Sequence, residues 1–88
     1  MSIDALALSE AELARLEPAA LEQHLGQLVR AYVRHRSCEL ADRVVQLIET
    51  LYRHPELPPD HDRFCAYRRL ARHWRWLAHQ TRAAAAQP

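Results

Sequence analysis

Apolar residues in this chain recur at helical spacing in segment after segment, and each segment is bounded by a residue that starts or stops a helix. Strand signals are nearly absent. In "EPAALEQHLGQLVRAYVRHR" the apolar positions are Leu21, Leu25, Leu28, Val29, Tyr32 and Val33. Their spacing, i, i+4, i+7, i+8, i+11 and i+12, is that of one helix face. Pro18 suits the first helical position, where a missing N–H costs nothing. Upstream, "SEAE" at Ser9–Glu12 has the capping-box form and predicts a short helix to about Leu16.

Ser37 reads as the next cap. "CELADRVVQLIETLYRH" carries Leu40, Ala41, Val44, Val45, Leu47, Ile48, Leu51 and Tyr52, an arc wider than one contact requires. This helix is expected to be central. Three prolines in "HPELPPD" cannot continue a helix, and Asp60 then caps the last one, with Asp62 in its first turn. The expected fold is all-α: a small four-helix bundle or orthogonal helix array, one short helix plus three long ones at roughly 9–16, 18–35, 38–54 and 60–81. Residues 1–88 read as a single domain with a flexible N-terminus over 1–8 and an Ala-rich C-terminal tail over 83–88.

Composition bears on class. One Gly, five Pro, 49% hydrophobic and 26% charged residues are those of a folded globular chain. A net charge of +1 argues against a globally basic nucleic-acid binder. The charge is uneven, however. Residues 1–50 hold eight acids and five arginines, whereas residues 51–88 hold three acids and seven arginines. Every basic residue is Arg, which offers bidentate and stacking contacts that Lys lacks.

The unevenness concentrates in "RFCAYRRLARHWRWLAHQTR", Arg63 to Arg82. On a helical wheel Phe64, Ala66, Tyr67, Leu70, Ala71, Trp74, Leu77 and Ala78 form the expected core face, and Arg68, Arg69, Arg72, Arg75, His79 and Arg82 lie opposite. Trp76 falls among the arginines. Trp and Arg are the residues most enriched where proteins dock on one another. Two readings follow for Trp76. It packs inside the chain against the first helix or the tail, with Arg72 stacked over it, or it belongs to a contact surface.

Chemistry is sparsely signalled. Six histidines include no HExxH and no i,i+4 pair; His54 and His61 flank the proline connector and could meet in space. Cys38 and Cys65 lie near helix starts, far apart in sequence, and do not form a CxxC pair. No metal, cofactor or catalytic residue is expected, and with so little pocket volume to offer the chain is not expected to be an enzyme. Gly26, mid-helix beside Val33, suggests close approach of another helix, with Gly26 and Val33 as candidates for a homodimer interface. No signal peptide or apolar run of spanning length occurs, so a cytoplasmic protein without a membrane span is expected.

These observations point to a small interaction protein: an adaptor, assembly factor or regulator, homodimeric, docking an acidic protein partner. The expected docking residues are Arg68, Arg69, Arg72, Arg75, Trp76 and Arg82. The alternative is nucleic-acid binding by the same face, arginines on phosphates and Trp76 on a base.

Overall fold

A computed structural model of the chain describes residues 9–57 and 60–86. Four helices make up the fold: α1 (Glu10–Ala14), α2 (Pro18–Arg34), α3 (Cys38–Tyr52) and α4 (His61–Ala86), with no strand among the described residues. The start signals act as the sequence predicts. Ser9 Oγ accepts from the Glu12 N–H and donates to the Glu12 carboxylate, both at 3.2 Å. Pro18 opens α2. Ser37 Oγ accepts from the Glu39 N–H, and Asp60 accepts from the Asp62 and Arg63 N–H groups at 3.0 and 3.2 Å.

Short links turn α2, α3 and α4 up, down and up. The side-chain contacts set their directions: Glu49 meets Arg75 and Asp42 meets Arg82, so α3 and α4 are antiparallel. Glu22 meets Tyr67 and Tyr32 meets Thr81, so α2 and α4 are parallel. α1 is laid against α3 near its C-terminal end. The third helix is central, as its wide apolar arc predicts. Leu40, Ala41, Val44, Leu47, Ile48 and Leu51 are buried in it, and it packs on α1, α2 and α4. Full burial of one such Leu or Ile contributes about 1.5–3 kcal/mol. Ala41, Ala71 and Ala78, all buried, let α3 and α4 approach closely. α2 and α4 instead meet through long side chains, with Tyr32 and Trp74 in edge-to-face contact at 5.1 Å.

Several expectations are corrected. The inward residues of α2 are Leu21, His24, Leu28 and Tyr32; Leu25 and Val29 are only partly covered, and Val33 is 74% exposed. Tyr32 fixes this rotation, held by the Trp74 ring and by the Thr81 hydroxyl at 2.8 Å. On α4 the buried set narrows to Ala71, Trp74 and Ala78. Phe64, read as core, is 40% exposed, because it sits opposite Tyr52, the last residue of α3, and no further helix among the described residues covers it. Leu70 is 38% exposed on the flank turned towards α2. Finally, Ala83–Ala86 continue α4 rather than forming a tail, since alanine is the best helix former and nothing before residue 87 breaks the helix. Residues 1–8, expected to be a flexible N-terminus, and the last two residues of the tail lie outside the described residues.

Candidate docking face on the last helix

The arginines of α4 do not form one surface. Arg75 pairs with Glu49, and Arg82 donates to Asp42 at 2.8 Å, so both lie along the α3 edge with their charge answered there. Arg68 lies over the Phe64 ring, 5.8 Å from its centroid. Arg69 and Arg72 remain on the outer side, exposed, and no carboxylate pairs with them among the described residues. Trp76 lies in angle between these two and is 56% exposed.

Of the two readings of Trp76, internal packing is therefore set aside. Its stacking partner is His73, one helical turn earlier, with ring centroids 6.2 Å apart and planes 23° from parallel; Arg72 does not fill that role. An indole this exposed keeps a large apolar area in water. Its neighbours Arg69 and Arg72 supply charge-assisted donors beside that area.

The same helix also borders a groove of about 940 Å³ between the C-terminal half of α4 and the α2–α3 link. Tyr32, Leu77 and Thr81 line it, with Trp76, Ala84 and Ala85 along α4 and Arg36 at the link. Sequence reasoning missed this groove. Its lining brings Tyr32 of α2 and link residues together with Trp76, Leu77 and the alanines of α4, a juxtaposition across helices that no single helical wheel shows; the available signal was an alanine run following directly on the Trp–Arg stretch.

The remaining candidates take structural places. The His54 ring joins two links: the Glu56 N–H donates to Nδ1 at 3.1 Å, so Nε2 carries the proton and donates to the Leu16 carbonyl at 2.8 Å. His54 and His61 do line one cleft, of about 400 Å³, but both nitrogens of His54 are committed. Among the described residues no group of three His, Cys, Asp or Glu side chains could hold a metal ion. Cys38 and Cys65 are free, half-buried thiols, and Cys65 Sγ lies 3.6 Å from His61 Nε2. Among the described residues the atoms nearest to a Cβ built at Gly26 belong to the Arg30 guanidinium of the same helix, the closest at 3.3 Å. His24 is buried with Nδ1 unpaired.

No helix among the described residues is long and apolar enough to cross a membrane. Comparison of the chain with protein-family models, with curated proteins and with solved structures finds no match.

Proposed function

We propose that this chain is a non-enzymatic interaction protein of the cytoplasm, an adaptor, assembly factor or regulator. It docks an acidic protein partner through Arg69, Arg72 and Trp76 on the outer face of α4. One observation carries the reading: an exposed indole flanked by two arginines that no carboxylate of the described chain answers. Arg68, Arg75 and Arg82 take secondary places, because Phe64, Glu49 and Asp42 already engage them.

The test is affinity capture with the wild-type chain and with an Arg72→Glu/Trp76→Ala variant of unchanged helicity. A partner of acidic surface held by the first and lost by the second supports docking. Equal retention by both sinks it. Nucleic-acid binding is the competing reading, and a titration of Trp76 fluorescence with RNA and duplex DNA in a Trp74→Phe background separates the two. Quenching with an affinity that falls steeply with salt would replace protein docking by phosphate contact.

Self-association belongs to the same proposal on a separate observation. Val33, 74% exposed, continues the partly covered stripe of Leu25 and Val29 along α2. Sedimentation over a concentration series tests it; a monomer at every concentration removes the dimer and leaves the α4 face untouched.

A further inference from the structure

The groove beside Trp76 has a definite origin. α2 ends at Arg34, two residues beyond the Tyr32 that meets Thr81, while α4 runs five residues beyond Thr81 to Ala86; α3 begins at Cys38. The overhanging turns present alanines, which have no side chain to fill the space. Tyr32 cannot plug it either, since its ring is held against Trp74 and its hydroxyl against Thr81. An apolar trough is left, floored by Tyr32 and Leu77 and walled by Trp76 and Ala84.

Its electrostatics are one-sided. No carboxylate lines this groove, whereas four other clefts carry Glu39, Asp42, Glu49 or Asp60. Arg36 stands at the link edge with no acidic partner among the described residues. Beside it Ser37 and Cys38 are the cap and first residue of α3, the helix end that carries partial positive charge. Along α4 no acid follows Asp62. A second copy of this chain meeting the groove symmetrically would bring the same Arg36 and α4 arginines to it, like charge against like.

The length is also informative. From Trp76 to Ala85 the groove follows α4 for about 14 Å, the span of two to three helical turns. This suits a helix whose anchors recur at i, i+3 or i+4, and i+7. We propose that the groove takes an amphipathic helix of the partner, its apolar side chains between Trp76 and Ala84 and a carboxylate against Arg36 at the start of α3. The inference rests on the docking reading and names the class of partner for it.

The probe is a designed helical peptide of about four turns, with leucine at i, i+3, i+4 and i+7 and glutamate and alanine elsewhere. One control replaces its glutamates by lysine; another scatters its leucines. The full chain is titrated with each, with amide shifts followed by NMR. The acidic amphipathic peptide is expected to bind at least about tenfold more tightly than either control, with shifts centred on Trp76, Leu77 and Ala84. Ala84→Glu puts a carboxylate at the groove wall on an exposed turn and Arg36→Glu reverses the edge; each is expected to weaken binding by at least about tenfold without loss of helicity. Wild-type affinity in both variants overturns the groove. Equal binding of the lysine peptide, competition by RNA at the same residues, or no binding of the acidic peptide overturns it as well. The docking face fails separately: it stands if Arg69→Glu/Arg72→Glu weakens the peptide while Ala84→Glu does not, and falls if the capture experiment shows no dependence on Arg72 and Trp76.

Discussion

Gly26 sits in the middle of α2 with ordinary helical backbone, and the group nearest to an added methyl is the end of the flexible Arg30 side chain. Alanine there lowers the entropy of the unfolded chain and asks only that Arg30 shift by a few tenths of an ångström. Gly26→Ala is expected to stabilise the fold by about 0.5–1 kcal/mol, seen as a higher urea midpoint. A loss of stability would mean that the Arg30 side chain cannot give way. Tyr67 offers a second test. Burial, then the charge of Glu22 and the hydrogen bond to it, raise its phenol above the ordinary value near 10, while Arg63 pulls the other way. The folded state thus holds the phenolic proton more tightly than the unfolded chain. The stabilisation is complete below pH 10 and is lost as pH rises through the raised value. Urea titrations at pH 9 and 11 are expected to show a larger drop for the wild type than for Tyr67→Phe; equal drops would refute the coupling. Single residues also mark where the sequence was silent. The wheel of α2 gives an apolar arc, but its rotation is set by what Tyr32 touches, which turns His24 inwards and Val33 outwards.

Among elements, α4 is the one whose pattern misleads. Its start is local chemistry and was legible: Asp60 caps through its own carboxylate within three residues, whereas its end was not, because the alanines expected as a tail continue the helix. Its buried face was legible only in part, because coverage depends on the lengths of other helices. With 26 residues against 15 in α3, α4 is about 39 Å long beside about 22 Å, so Phe64 and the alanine turns lie beyond full cover. Where the two helices do meet, small residues control the distance. Ala71→Leu adds three carbons at a position 1% exposed and is expected to cost about 1–3 kcal/mol, whereas Ala66→Leu on the exposed flank of the same helix should change stability little. Urea midpoints of the two variants decide the matter; equal midpoints would mean that the α3–α4 contact is looser than Ala71 and Ala78 imply.

At the scale of the molecule, the excess of acids in the first half and arginines in the second was plain in the sequence, and the fold uses it between α3 and α4 in Glu49–Arg75 and Asp42–Arg82. Which arginines would be answered was not legible, since that follows from the register of α4 against α3. The outcome divides the basic helix into a neutralised inner edge and an unanswered outer one, and the candidate face is what remains.

The central place of α3 has a consequence for how the chain reaches this fold. α2 packs on α3 and α3 on α4, so the main interhelical contacts join consecutive helices across short links, and little loop-closure entropy separates contacting segments. Such low contact order belongs to chains that fold in microseconds to milliseconds. Either hairpin can nucleate first, and both contain α3. Truncations along Val44, Leu47 and Ile48 should therefore slow folding whichever route is taken, while those confined to α2 or α4 should act more on unfolding.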